Sequence, residues 1–417
     1  MNPKNFLNLG LCTLAMVAGG LVTGCKPSTP EPTPGDGTST TTTTSTGARP
    51  ESPGAGVTVT GDVIKIGLVA SQNGDLRPWG DDSIKGVRLA EEEINAAGGI
   101  NGKKIQILVG DSASTPEGGK TATEKLLADG CVGLLGEVAS GITIQMANVA
   151  FEKGVPIVAV GATKTDLTEK GNNVFRVCYT DDFQGPVMAR FAYEDLGLRN
   201  MGIMTDNKQP YSKGLSDSFR KKFEELGGKI VDEQFYESGQ TQFTGQLTNM
   251  KAKNPDGIFM SGYFVEVGPM ARQIRDVGMT DAKLLGGDGW DSTELTSGGG
   301  SAIVGGYFCN HYNNQEPREE VQNFLTKWKA KYGGEPGTTM GALGYDAAML
   351  MFDALKRSTE LNSKALIAAI EDTTDFKGVS GGISLKGMRG NPAKRALVVE
   401  VQPTGQVFKK AFEAEGS

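Results

Sequence analysis

The chain has 417 residues, with 42 Lys and Arg against 49 Asp and Glu, for a net charge of −7 at neutral pH. The two signs are interspersed, so no basic stripe suits a phosphate backbone, which argues against a nucleic-acid partner. Five cysteines and one histidine argue equally against a disulfide scaffold and a histidine-rich metal centre.

At the N-terminus, Lys4 precedes an apolar region from Phe6 to Val22 that is broken only by Asn8 and Thr13, and Thr23-Gly24-Cys25 follows. A positive start, an apolar core and small residues before a cut predict a secretory signal over residues 1–24. A Cys directly after Thr-Gly makes this resemble a lipoprotein signal, in which Cys25 takes the lipid and becomes the mature N-terminus. The run falls short of the about 20 apolar residues that a spanning helix needs. Residues 25–60 are dominated by Pro, Thr, Ser, Gly and Glu, with Pro27, Pro30, Pro32, Pro34 and the run Thr40 to Thr44. So little apolar surface does not offset the entropy of ordering, which predicts a tether whose ends lie roughly 30–35 Å apart as a coil.

The remaining chain, from about Gly61, is long enough for two domains. It opens with the apolar run Val63 to Ala70 and a Gly-rich turn. A helix with Ile84, Val87, Ala90 and Ile94 on one face follows, then a second run at Ile105–Val109. Gly98-Gly99 supply the helix stop. Further strands are expected at Val132–Gly136 and Ile157–Val160. A second series begins at Met201–Thr205, passes through a helix with Leu215, Phe219 and Phe223 inward, and stops at Gly227-Gly228. It continues through Ile230–Phe235, Ile258–Ser261 and Leu284–Gly286. Helices near Glu319–Tyr332, Leu343–Lys356 and Ser363–Asp372 and strands around Ile383 and Ala396–Val401 complete the chain. Two βα series predict an α/β protein with two doubly wound domains.

Catalytic signatures are weak. Gly119-Lys120-Thr121 looks like the tail of a P-loop, but Ser114 stands where the motif needs Gly, so a surface helix is expected there. No Gly-x-Ser-x-Gly elbow exists, and no Cys-x-x-Cys metal pattern. His311, the one histidine, reads as an ordinary surface or hinge residue. No cofactor, metal or enzymatic activity is implied. Gly136-Glu137-Val138-Ala139-Ser140 runs from a strand into a helix and places Ser140 at the N-cap, beside free backbone N–H groups.

The wording of Val63 to Ser114, of 136–190 and of 204–215 resembles the periplasmic leucine/isoleucine/valine-binding proteins, the type I solute-binding family of ABC transporters. The resemblance implies a type I periplasmic-binding-protein fold of two doubly wound lobes joined by a three-segment hinge. Lobe one would hold 62–178 and 312–395, and lobe two 179–311 and 396–417. It implies that Ser140 and the segment Gly161, Ala162 and Thr163 bind a ligand carboxylate. Asp288, where leucine-binding members carry Glu, would bind its ammonium, with Tyr263 beside it. Trp79 and Tyr211 would form aromatic walls, and Met340 falls near another contact. Cys178 and Cys309 fall where connecting strands run side by side, which leaves two alternatives, a bridge between them or three unpaired thiols counting Cys131. The implied function is a lipid-anchored, exported protein that captures a small amino acid for an ABC permease. The alternative is an amino-acid or amide/urea sensor of the same fold coupled to a membrane or regulatory partner.

Overall fold

The computed structural model describes residues 47–414. The signal over 1–24, Cys25 and the tether up to residue 46 lie outside the described residues. Eight elements build the first half: β1 (Val63–Ala70), α1 (Arg77–Ala96), β2 (Lys104–Asp111), α2 (Pro116–Ala128), β3 (Gly133–Leu135), α3 (Ser140–Lys153), β4 (Ile157–Ala159) and β5 (Val174–Arg176). Their strands form one sheet in the order β2-β1-β3-β4-β5, every pair parallel. β3, β4 and β5 are buried at every residue, as expected of strands covered by helices on both faces.

The second half repeats the plan. α4 (Asp181–Arg190) leads to β6 (Asn200–Asp206), α5 (Pro210–Glu225), β7 (Lys229–Tyr236), α6 (Thr244–Lys251) and β8 (Gly257–Met260). α7 (Phe264–Asp276), β9 (Lys283–Gly286), α8 (Thr293–Gly299) and β10 (Tyr307–Asn310) follow. The chain then returns to the first sheet with α9 (Glu319–Tyr332), α10 (Met340–Arg357) and α11 (Ser363–Glu371), α10 packing against α1 and β3. After the small hairpin β11 (Phe376–Gly378) and β12 (Gly381–Ile383), β13 (Ala396–Gln402) and β14 (Gly405–Phe412) close the second sheet. Its order is β14-β13-β10-β9-β8-β6-β7, with β13 and β14 antiparallel and the rest parallel. The parts built on the two sheets are lobe one and lobe two, and the chain passes between them three times, between β5 and β6, between β10 and α10 and between β12 and β13.

The parallel strands of both sheets share one order, second-first-third-fourth-fifth, so each sheet reverses direction beside its first strand. Ligand crevices of such sheets lie beyond the carboxyl ends of the strands next to that reversal. The helix stops are also shared: Gly99 and Gly227 adopt φ of 80° and 94°, and the N–H of Gly99 and of Gly228 reach back to the carbonyls of Ile94 and Phe223 at 2.9 Å.

Two expectations need correction, and one pair of open alternatives, that for the cysteines, falls to the unpaired form. The tether does not extend to residue 60, because 49–60 form a strap bound to lobe one. The guanidinium of Arg49 donates to the carbonyls of Val174 (2.6 Å), Gly171 (3.1 Å) and Asn172 (3.2 Å), pairs with Glu371 and lies over the Phe175 ring. Farther along, Gly56 N–H bonds to Lys153 O and Val59 N–H to Leu361 O, each at 2.9 Å. Cys178 and Cys309 are not bridged; both thiols are free and buried, as is Cys131. Cys178 Sγ points at the Ala162 carbonyl, 3.4 Å away, whereas Cys309 sits in β10 opposite Val398. Burial pushes the Cys178 thiol up to about 12, which keeps it protonated and inert. Secondly, the N-cap of α3 is Ala139, and Ser140 is the first helical residue.

Candidate functional site

Seven of the predicted residues line one narrow, nearly filled space: Trp79, Gly161, Thr163, Tyr211, Tyr263, Asp288 and Met340. Val138 and Gly289 complete its wall. Wider grooves open elsewhere on the surface, one beside Tyr179 and Lys394 and one beside Asn313 and Glu335. This smaller space is the one where an apolar wall meets a few convergent polar groups, as a ligand site requires.

Lobe one contributes two turns, at the carboxyl ends of β3 and β4. The first carries Glu137 and leads into α3. Glu137 is buried, and its carboxylate accepts from the hydroxyls of Ser71 (2.5 Å) and Ser112 (2.9 Å) and from the N–H groups of Val138 and Ala139 (2.9 Å each). Burial raises its pKa despite those four donors. The N–H groups of Ser140 and Gly141, at the start of α3, have no acceptor among the described residues, and neither does that of Thr163. Donors left free at a helix start favour an anion. Ser140 Oγ does not line the cavity; it accepts from Lys164 N–H at 3.2 Å and so ties the first turn to the second. Ala162 is also behind the wall, its carbonyl accepting from buried Arg176 at 2.8 Å.

Lobe two contributes side chains. Tyr211 stands in the first turn of α5, behind Pro210, and its hydroxyl accepts from Gly289 N–H at 3.0 Å. A Cβ on Gly289 would lie 2.9 Å from that hydroxyl and from the Gly262 carbonyl, so only glycine permits this approach. Tyr263, just before α7, stacks on Tyr211 with centroids 5.0–5.1 Å from both Tyr211 and Trp79, the latter edge-on at 85°. Trp79 reaches across from α1, and its indole N–H donates to the Asp291 carbonyl of lobe two at 2.7 Å.

Asp288 follows β9 in a single helical turn and is 4% exposed. Its Oδ1 accepts from Gln184 Nε2 at 2.9 Å and its Oδ2 lies 3.0 Å from His311 Nε2, while its own N–H donates to Gln184 Oε1 at 3.1 Å. Gln184 also donates to Asp181 Oδ1 at 2.9 Å. Burial, with Asp288 nearby, pushes the Asp181 carboxyl up to about 7. His311 is therefore no surface residue. Its ring is buried and stacks on Tyr179 with centroids 4.1 Å apart.

Sequence reasoning missed Glu137, Asp181, Gln184 and the part played by His311. Glu137 sits inside the quoted strand-to-helix turn, where a carboxylate before a helix start was a usable signal. Gln184 and Asp181 are three residues apart at the start of a helix and carry no signal beyond that spacing.

A family model described as periplasmic binding protein matches residues 63–406. The chain belongs to the periplasmic binding protein family. Within that family it is 32% identical over 323 residues to Leu/Ile/Val-binding protein homolog 1 of Brucella abortus, an alignment covering 77% of this chain and 85% of the relative. The solved structure of the leucine binding protein LivK from Thermotoga maritima is similar at TM-score 0.79 and 33% identity, covering 84% of this chain and 99% of that one. LivJ of Streptococcus pneumoniae, a branched-chain amino acid transporter substrate binding protein solved with isoleucine, gives TM-score 0.78 and 31% identity over 84% and 99% of the chains. The family member described here is thus a solute-binding protein of type I fold, and not an enzyme.

Proposed function

We propose that this binding protein captures a small α-amino acid of the leucine/isoleucine/valine kind between its lobes and presents it to an ABC-type permease, tethered to a membrane through lipid on Cys25. The observation that carries the ligand class is the polarity of the cavity. One side has the unengaged N–H of Thr163 on the wall and those of Ser140 and Gly141 at the start of α3, which follows the wall residue Val138; the other has a buried carboxylate, Asp288. An α-amino acid carries a negative and a positive group, and each needs a partner once the cleft excludes water. Aromatic walls between the two sides suit an apolar side chain. The names of the relatives support the same class. Asp288 is one methylene shorter than glutamate, so the ammonium would sit closer to lobe two than a glutamate would hold it. Binding would proceed by rotation at the hinge, lobe one engaging the carboxylate and lobe two closing with Asp288 and Tyr263.

The test is calorimetry with leucine, isoleucine and valine against 4-methylpentanoate, which keeps the carboxylate and side chain of leucine and lacks the amine. The amino acids should bind and the deaminated acid should bind at least tens-fold more weakly. Equal affinities would remove the ammonium from the reading. For the anchor, Cys25→Ser should yield a protein that leaves the membrane fraction in a carbonate wash; retention there would refute lipidation.

A further inference from the structure

Asp288 is held on both carboxylate oxygens by residues from the hinge. Gln184 belongs to the helix that follows the first crossing, and His311 is the second crossing itself. The imidazole has 0% side-chain exposure, Nε2 lies 3.0 Å from Asp288 Oδ2, and Nδ1 has no partner among the described residues. A neutral ring donates one hydrogen bond through Nε2; a protonated ring neutralises the carboxylate as an ion pair. A ligand ammonium needs that same negative charge. Two cations sharing one carboxylate in a closed, water-poor cavity repel each other, so each weakens the hold of the other.

The groups facing the ring are Asp288 from the turn after β9, Tyr179 from the first crossing and, through Gln184, Asp181 from α4; Cys309 of β10 lies against Tyr179 behind it. Burial keeps the Tyr179 hydroxyl and the Cys309 thiol protonated. Arg176 acts on Asp181 and Cys178, and Lys394 on Cys178. Asp288 is accordingly the anion in direct contact with the imidazole, and Asp181 is the one other carboxyl of this network.

We propose that His311 is a positioning residue whose proton competes with the ligand ammonium for Asp288, so that binding an amino acid expels a proton from the imidazole to solvent. Neutral His311 remains as a donor that keeps Asp288 aimed at the ammonium. The inference rests on the amino-acid reading above. It adds a selectivity: an uncharged amide ligand would leave the imidazole proton in place, whereas a zwitterion displaces it. Acid conditions would then favour release of an amino acid.

Calorimetry with leucine at pH 5.5, 6.5 and 7.5, in buffers of different ionisation heat, tests the proposal. Affinity should rise with pH, by up to about tenfold per unit where the ring is charged, with matching proton release. His311→Gln keeps an N–H donor but does not titrate, so it should lose both the slope and the release; Asp181→Asn should keep both. A slope that survives in His311→Gln, or that disappears in Asp181→Asn, overturns the assignment to His311. If leucine, isoleucine and valine all fail to bind, the amino-acid reading falls and this inference with it. If they bind with no proton release at any pH, only this inference falls. Because the chain has a single histidine, the wild-type protein offers a check that needs no variant. Adding ligand at pH 5.5 should move its imidazole C–H proton resonances toward their neutral positions, and unmoved resonances would refute the competition.

Discussion

For polar contacts lobe one offers backbone N–H groups, of Thr163 on the cavity wall and of Ser140 and Gly141 at the start of α3, beside the apolar wall residues Trp79, Val138 and Met340, whereas lobe two offers side chains, Asp288, Tyr263 and Tyr211. The first set is fixed by the start of α3 and the turn after β4, and no single substitution removes it. The second set depends on a chain of supports, since Asp288 leans on Gln184 and His311 and Tyr211 leans on Gly289. An anion site made of main chain tolerates change; a cation site made of one buried carboxylate does not. Specificity among ligands should therefore evolve, and be engineered, from lobe two.

The largest expected effect follows directly. Asp288→Asn removes the one carboxylate that lines the cavity, and losing one partner of a buried charge pair costs about 2–5 kcal/mol. Leucine affinity should fall by tens-fold or more in calorimetry at pH 7.5. A change within about threefold, below about 1 kcal/mol, would mean that the lobe-two end does not carry the ammonium, and the asymmetry between the ends would collapse.

A second prediction concerns stability instead of affinity, and it separates the supports from the contact itself. The Asp181 carboxyl is raised from 3.8 to about 7 by burial first and by the Asp288 charge second. A carboxyl whose folded value exceeds its unfolded one holds its proton more tightly when folded. The folded state is therefore penalised as pH rises from the ordinary carboxylate range, fully so above about 7, and not at all below it. Asp181→Asn removes the penalty. It should raise the unfolding temperature at pH 8, by on the order of 1–2 kcal/mol of stability once relaxation is allowed for, and change it little near pH 4. Equal effects at the two pH values would show that the Asp181 carboxyl ionises in the folded protein as it does in the unfolded chain, so that burial does not raise it.

How much of this was readable beforehand also divides by region. The strand ends were legible because each couples an apolar run to a glycine-rich turn: Gly136, Gly161, Gly262 and Gly286-Gly287 mark where β3, β4, β8 and β9 deliver residues to the cleft. The hinge was not. His311 and Gln184 touch Asp288 across 23 and 104 residues of chain, and no local pattern encodes a contact made only when two crossings come together. The strap was hidden by its neighbours, because a Pro- and Thr-rich average conceals one Arg49 whose guanidinium replaces hydrophobic burial with carbonyl hydrogen bonds. β14 escaped for another reason: its burial is mostly exposed or partial and it carries Lys409 and Lys410, as an edge strand protected from pairing would.

The smallest expected effect is at Ser140, and it probes the tolerant end. Its hydroxyl is engaged with Lys164 N–H, joining the two lobe-one turns, and the unengaged backbone donors at the start of α3 and at Thr163 do not depend on it. Ser140→Ala thus leaves one N–H without its acceptor, a loss worth about 0.5–1.5 kcal/mol, or roughly two- to tenfold in affinity if all of it reaches the ligand. The same calorimetric titration used for Asp288→Asn reads the difference. The expected order is a mild loss at Ser140 and a severe one at Asp288. Should Ser140→Ala cost as much as Asp288→Asn, the hydroxyl itself must turn to the ligand when it binds. Lobe one would then depend on a side chain just as lobe two does, and its tolerance would have to be sought at Thr163 or in the α3 backbone alone.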